Sequence, residues 1–304
     1  MSLLPVKDAL QQILSGCSPV EQVEHLPLHE AADRILAEDI YSDIPVPPVD
    51  NSAMDGYALN ADNYCDGLVL KVSQRIPAGC VPTKLEEGSC ARIFTGASLP
   101  AGANAVIMQE NTQVNAEGAV VFSGQVTAGQ NIRKAGEDIA VGDRLLAKGD
   151  ILQAASLGLL ASVGRAKVRV YRRLSVAVLS TGNELKNPGE QLAPGQIYNS
   201  NRFVLMGWLQ SLGIRVVDGG CIGDALAPTV KRLQELAEQV DVLISTGGVS
   251  VGEEDHVKAA VQQAGRLDIW KIAVKPGKPL AFGQVHQSAF FGLPGNPVST
   301  FVTF

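Results

Sequence analysis

No uninterrupted apolar run in this chain of 304 residues is long enough to cross a bilayer. Its first 14 residues read as an amphipathic helix without the basic region and cleavage site of a signal peptide, so a cytoplasmic location is the expectation. Cysteine is sparse and odd in number: Cys17, Cys65, Cys80, Cys90 and Cys221 contain no CxxC spacing, which indicates neither a disulfide framework nor a zinc site. Positive charge is also short, with 25 Lys and Arg against 31 Asp and Glu. The resulting net charge of −6 argues against nucleic acid as a main partner, although local lysines remain able to bind small anions. The chain is 46% hydrophobic, enough to bury substantial cores, and its length suggests two domains.

The most informative segment joins a buried-strand pattern to a loop suited to an anion. Val240, Val242, Leu243 and Ile244, broken only by Asp241, read as a strand covered on both faces. Gly247 and Gly248 then let backbone N–H groups turn toward a ligand, while Ser245, Thr246 and Ser250 add hydroxyls. Asp255 precedes a helix read over residues 256–265, where a magnesium ion beside a phosphate would need a carboxylate. Taken alone, Thr-Gly-Gly after a strand is as readily an ordinary turn. The device recurs, however, since the strand read over residues 174–179 runs into Ser180, Thr181, Gly182, Asn183 and Glu184.

Between the two loops the pattern is β-α-β-α-β. Residues 201–212 read as a helix stopped by Gly213, residues 214–217 as a strand leading to a glycine turn and Asp224, and residues 229–239 as an amphipathic helix. Right-handed crossovers make the three strands parallel and place Glu184, Asp224 and Asp255 just past their carboxyl ends, where open α/β sheets bind ligands. Each acid by itself could serve only to complement a helix dipole. Three, each beside a glycine turn, point to a magnesium and phosphate site.

Lys271 and Lys275, four residues apart, are expected on one face of an extended strand, with Lys278 stiffened between Pro276 and Pro279. Such a cluster could hold a compact anion. It is not a Walker loop, because Ile272 and Pro279 stand where that motif needs Gly and Ser or Thr. Pro294 and Asn296 lie in a further strand-to-helix turn, with Pro297 placed as the first helical residue.

The N-terminal half divides less clearly. Residues 1–43 are helical in pattern, with Val6, Leu10, Ile13 and Leu14 on one stripe and Ala31, Ile35 and Leu36 on another. A proline-rich passage then leads to a β-rich region ending near residue 130, and residues 152–160 read as a helix. Residues 50–58 hold two acids and two polar residues in a short loop; Asp55 is the leading functional candidate there, ahead of Asp50. Arg133 and Asp138 are secondary candidates, equally readable as an ion pair that stiffens a hinge.

At this point the sequence resembles the molybdopterin molybdenumtransferases, called MoeA in bacteria and represented in animals by the gephyrin E domain. The matching residues are 50–58 (Asp-Asn-Ser-Ala-Met-Asp-Gly-Tyr-Ala), 94–97, 106–110, 131–133 with 136–138, 180–184, 245–255, 271–279 and 293–297, in the family's order over almost the whole chain. The resemblance implies insertion of molybdate into adenylylated molybdopterin, with release of AMP, in a magnesium-dependent reaction. By motif match Thr95, Ser180, Thr181, Gly182, Ser245, Thr246, Gly247, Gly248, Ser250, Lys278, Pro294, Asn296 and Pro297 would contact substrate. Glu184, Asp224 and Asp255 would hold magnesium or orient water, Lys271 and Lys275 would hold anionic substrate, and Asp55 would join the site from the N-terminal half.

It further implies a homodimer whose cleft is shared between subunits. The implied fold class is α/β and α+β multidomain: an N-terminal elongated domain over residues 1–45 and 138–173, an inserted β-rich domain over 46–137, and a parallel-sheet α/β molybdopterin-binding domain over 174–304. Family members continue into a C-terminal β-barrel, and the uncapped apolar run at residues 298–304 reads as cut short. Two alternatives stay open: a molybdopterin adenylyltransferase-like enzyme, which would not need residues 50–58, and a non-catalytic gephyrin-like scaffold.

Overall fold

The computed structural model describes residues 3–249 and 256–304, apart from the side chains of Asn63 and Trp270; Ser250 and Asp255 lie outside the described residues. The chain forms two compact units, residues 1–24 with 171–304, and residues 25–170.

The first unit is built on a six-stranded sheet. In chain order its strands are β1 (Ser175–Thr181), β2 (Arg215–Ile222), β3 (Val242–Thr246), β4 (Gly265–Lys271), β5 (Pro279–Val285) and β6 (Ser288–Leu293), arranged spatially as β2-β1-β3-β6-β5-β4. The first four in that spatial order run parallel. β5 and β4 turn the sheet mixed, each antiparallel to its neighbour, so β4 again runs with β6.

Alternation along the central strands explains why both faces must be covered. Ala177, Leu179 and Leu243 project into one core with helices α3 (Leu226–Ala237) and α4 (His256–Ala264). Val176, Val178 and Ile244 project into the other, with α1 (Val6–Gly16) and α2 (Ser200–Ser211). β1 is buried at every position. A further helix, α5 (Pro297–Thr303), starts at Pro297 and is capped by the Asn296 side chain, which accepts from Val298 N at 3.0 Å and Ser299 N at 3.2 Å.

Three readings of this half are corrected. The strand expected over residues 214–217 runs on through Gly219 and Gly220 to Ile222, with a bulge where Val178 pairs Asp218 and Leu179 pairs Gly220. A side chain at Gly219 would put its Cβ 2.7 Å from the Val178 carbonyl oxygen, so that glycine serves strand pairing and not a ligand loop. The stripe Val6, Leu10 and Leu14 is exposed; α1 instead buries Ala9 and packs Ile13 partly against the sheet core. Lastly, the strand carrying Lys271 ends at that residue, and Lys275 lies in a bend.

The second unit holds another six-stranded sheet, in the spatial order Ala105–Met108, Gly56–Leu59, Ser89–Ile93, Val69–Ile76, Val120–Phe122 and Thr112–Val114. Its faces bury two separate clusters, one around Ile76, Ile93 and Val106 and one around Leu59, Ile107 and Phe122. A third cluster gathers Ala31, Leu36 and Ile40 with Leu152, Leu160, Val168 and Val170, the helix there being Ala154–Ser162. Beyond α1, residues 17–43 form no α-helix; a strand at Val23–Pro27, a 3-10 turn at Leu28–Glu30 and a strand at Ile40–Tyr41 replace it. Pro19 and Pro27 withhold backbone donors in that stretch, and tertiary pairing decides what the apolar spacing alone could not.

Candidate active site at the carboxyl edge of the sheet

Register brings the sequence motifs of the first unit to one edge. Ser180 pairs with Thr246, Thr181 with Ile222 and Thr246 with Leu293, so the loops beginning at Gly182, Gly223, Gly247 and Pro294 leave the sheet side by side. Because β4 runs with β6 and β5 against them, the lysine turn at residues 272–278 emerges at the same edge. That turn is closed by Ile272 N donating to Lys278 O at 3.0 Å. Lys271 is half-buried, whereas Lys275 and Lys278 are exposed. The lysines therefore share a turn and not a strand face.

The two glycines of the β3 loop are held by steric necessity. Gly247 has φ +84°, and a Cβ there would lie 2.5 Å from the Thr181 carbonyl oxygen; its N–H donates to Leu293 O at 3.1 Å. Gly248 has φ +64°, with Val257 in the way of any side chain and Thr181 Oγ1 only 2.7 Å from a built Cβ. Any other residue at either position would force β1 and β3 apart or unseat α4.

Hydroxyls at this edge fall into two classes. The Ser180 and Thr246 hydroxyls are buried and face each other at 3.1 Å, so they tie β1 to β3. Thr181 Oγ1 and Ser245 Oγ are also buried, yet neither has a hydrogen-bond partner. Unsatisfied buried hydroxyls are uncommon in folded proteins, and the Thr181 one sits against the Gly247–Gly248 turn, where an anion would accept its proton.

The loops that carry Glu184 and Asp224 are tied to each other. Asn183 N donates to Asp224 Oδ2 at 3.0 Å, and Asp224 N donates to Asn183 Oδ1 at 3.1 Å, a reciprocal clasp between the β1 and β2 loops. Glu184 folds back over Gly182, its Oε2 lying 2.5 Å from where a Cβ would stand. Both carboxylates act on the thiol of Cys221: burial pushes that thiol up, the Arg202 guanidinium opposes this, and Glu184 and Asp224 add to it. Glu184 and Asp224 stand on adjoining loops, and hard carboxylate oxygens are the donors that magnesium takes. Among the described residues no cluster of three His, Cys, Asp or Glu stands ready by itself to hold a metal, and Asp255, the third expected acid, falls outside them.

Pro294 and Asn296 serve the scaffold. Pro294 O accepts from Thr300 Oγ1 at 2.6 Å, and the Asn296 carbonyl group of its side chain is occupied in capping α5. Sequence reasoning missed Asn199 and Asn201. Asn199 caps α2, and Asn201 Nδ2 donates to Gly295 O at 2.7 Å, seating the start of that helix on the β6 turn. Their only signal in the sequence was an ordinary helix start.

Asp55 and Thr95 belong to the second unit. Asp55 Oδ1 accepts from Thr95 N at 2.8 Å and Thr95 Oγ1 at 2.7 Å, leaving Oδ2 open. These bonds, the backbone one foremost, lower the Asp55 carboxyl below its ordinary value. Asp50 is occupied differently: Lys134 Nζ lies 2.8 Å from Oδ2, Ala135 N donates to Oδ1 at 2.9 Å, and both lower its carboxyl, Lys134 foremost. Arg133 and Asp138 form an ion pair, in keeping with the structural reading.

Comparison with known proteins assigns both halves. Residues 4–164 match the MoeA N-terminal region (domain I and II), and residues 177–304 match the probable molybdopterin binding domain. The chain is 46% identical to the molybdopterin molybdenumtransferase of Haemophilus influenzae over 304 residues, spanning 99% of this chain and 75% of that protein. It is 37% identical to molybdopterin molybdenumtransferase 2 of Mycobacterium tuberculosis, spanning 96% of this chain and 74% of the relative. Its fold matches a crystal structure of a molybdopterin biosynthesis MoeA protein from Pyrococcus horikosii with a TM-score of 0.88 at 35% identity, over 100% of this chain and 77% of the other.

Proposed function

The chain belongs to the molybdopterin molybdenumtransferase family, and we propose that it inserts molybdate into adenylylated molybdopterin at the carboxyl edge of its α/β sheet, releasing AMP. It is thus a transferase of molybdenum cofactor assembly. The observation that carries the site assignment is convergence: an anion-suited glycine turn, a clasped pair of carboxylate loops and a three-lysine turn leave one sheet edge together.

Each part has a physical task. The backbone N–H of Gly248, with the unpartnered Thr181 hydroxyl, receives phosphate oxygens of the adenylylated pterin. Lys271, Lys275 and Lys278 concentrate positive charge where a compact dianion such as molybdate is wanted. Glu184 and Asp224 would hold magnesium, which when bound neutralises charge on the phosphate bridge. The rest is positioning and electrostatics, with no covalent protein intermediate. Asp55, its Oδ1 fixed by Thr95 and its Oδ2 open, completes the site from a second copy in a homodimer. No helix among the described residues is long and apolar enough to cross a membrane, and we place the reaction in the cytoplasm.

The test is incubation of the protein with adenylylated molybdopterin, magnesium and molybdate while AMP is followed. Release should depend on molybdate. Attachment of AMP to molybdopterin from ATP would instead identify an adenylyltransferase, and binding of an extended receptor peptide without turnover would identify a scaffold.

A further inference from the structure

The start of α2 carries an unused donor that the functions so far assigned do not absorb. Asn199 is 2% exposed, its Oδ1 accepts from Arg202 N at 3.3 Å, and its Nδ2 is buried with no hydrogen-bond partner. A buried amide N–H left unpaired is costly, so a fold that keeps one needs a reason. The helix it caps is 12 residues long and has no acidic residue of its own in its first turn to complement the positive end of its dipole. The backbone N–H groups of Ser200 and Asn201, in that first turn, have no acceptor within the helix. Arg202, the third residue of that turn, donates to Asp218 at 2.5 Å and to Asn187 at 3.0 Å, and its Nε is buried without a partner.

The place is as telling as the donor. Asn201, two residues on, donates to Gly295 O at 2.7 Å, and a Cβ on Gly295 would lie 3.6 Å from Gly247 Cα. The amino end of α2 thus sits beside the glycine turn of β3. We propose that Asn199 Nδ2 and the first-turn N–H groups of α2 form a further oxyanion subsite at this edge, binding one tetrahedral oxyanion. The subsite rests on the reading of the edge as the reaction site. Two sources supply that chemistry, the adenylyl phosphate of the pterin substrate and molybdate itself.

Two variants separate donor from cap. Asn199→Ser keeps an acceptor for the helix N–H groups and removes the amide donor, and Asn199→Asp keeps the shape but replaces the donor with a negative charge. Titration calorimetry with AMP and with molybdate, on the intact protein with magnesium present, should show about ten-fold weaker binding of one of the two in Asn199→Ser, and a larger loss in Asn199→Asp. The ligand that weakens names the source. On the unmodified protein, the Asn199 side-chain amide resonances should shift on adding that same ligand, a readout that needs no variant to fold.

Unchanged affinities for both ligands in both variants, or unmoved amide resonances, would overturn the subsite. If the unmodified protein meanwhile releases AMP in response to molybdate, the subsite alone falls and the functional reading stands. If AMP release is absent but Asn199→Ser still weakens binding, the functional reading falls and the subsite stands. Failure of the unmodified protein to bind either ligand overturns both.

Discussion

Replacing Asp224 by Asn separates a charge from a shape. In the structure Asp224 does two things at once: Oδ2 accepts the Asn183 N–H at 3.0 Å, and its own N–H donates to Asn183 Oδ1 at 3.1 Å. An asparagine can present its carbonyl oxygen to the same N–H, so the clasp survives with a neutral acceptor in place of a charged one. The expected cost is the difference between a charge-assisted and a neutral hydrogen bond, about 1 kcal/mol at a half-buried position. For the unit of residues 1–24 with 171–304, that lowers Tm by about 2–4 °C. Catalysis should suffer far more, because the lost charge is one of two carboxylates at the proposed magnesium locus; removing a preorganised electrostatic group of this kind typically costs 10²–10³ in turnover, or about 3–4 kcal/mol. AMP release at saturating molybdate, measured beside thermal unfolding, tests the split. Asn183→Ala is the control, since it breaks the Asn183 Oδ1 half of the clasp and leaves the charge; its activity should fall less than about ten-fold. Should Asp224→Asn and Asn183→Ala lose activity in equal measure and in step with stability, Asp224 is only a clasp and the metal assignment is refuted.

Three other outcomes are expected. Asp241, bonded by Arg172 at 2.7 Å and by Ser175 Oγ at 2.6 Å, has its carboxyl drawn down from 3.8 to about 2, the Arg172 hydrogen bond foremost. Its stabilisation is complete above pH 3.8 and is lost as pH falls toward 2; the gap of 3.8 minus 2 corresponds to about 2.4 kcal/mol, discounted to about 1–2 for partial exposure. Acid titration of unfolding free energy should therefore flatten over that window in Asp241→Asn, and an unchanged slope would dismiss the clamp. Lys271→Ala and Lys275→Ala should raise the molybdate concentration needed for AMP release more than they weaken pterin binding, with added salt mimicking the effect; loss of pterin affinity alone would move these lysines to the phosphate site. Mixing Asp55→Ala subunits with Asp224→Asn subunits should restore part of the activity, and no recovery despite proven exchange would speak against a shared cleft.

Much of the α/β unit was legible because its signals are periodic and redundant. Val176 and Val178 face one core and Ala177 and Leu179 the other, so β1 had to be apolar from Val176 to Leu179, and a strand covered on both faces in this way is central. The buried face of α3, with Val230, Leu233, Leu236 and Ala237, follows the helical repeat directly. Local reading failed where a pattern had two physical solutions. The stripe of α1 is amphipathic, yet the sheet core takes its small residue Ala9 and part of Ile13, while Val6, Leu10 and Leu14 turn outward. Lys271 and Lys275 satisfy a strand repeat, but Lys271 pairs with Pro279 and the chain must already be turning by Lys275.

The site divides along the same line. Residues recruited for what their backbone permits, such as Gly247 and Gly248, announce themselves, because only glycine tolerates positive φ beside the Thr181 carbonyl. Residues recruited for a side-chain atom do not, because their use depends on what the fold leaves unpaired. Ser180 and Thr181 are neighbours of equal promise in the sequence; alternation on β1 turns the Ser180 hydroxyl onto Thr246 and leaves that of Thr181 orphaned beside the glycine turn. Asn199 is the extreme case. As a sequence signal it is a helix cap and its oxygen does that work, while the nitrogen that suggests a binding role becomes visible only when the fold is seen to leave it buried and unpartnered.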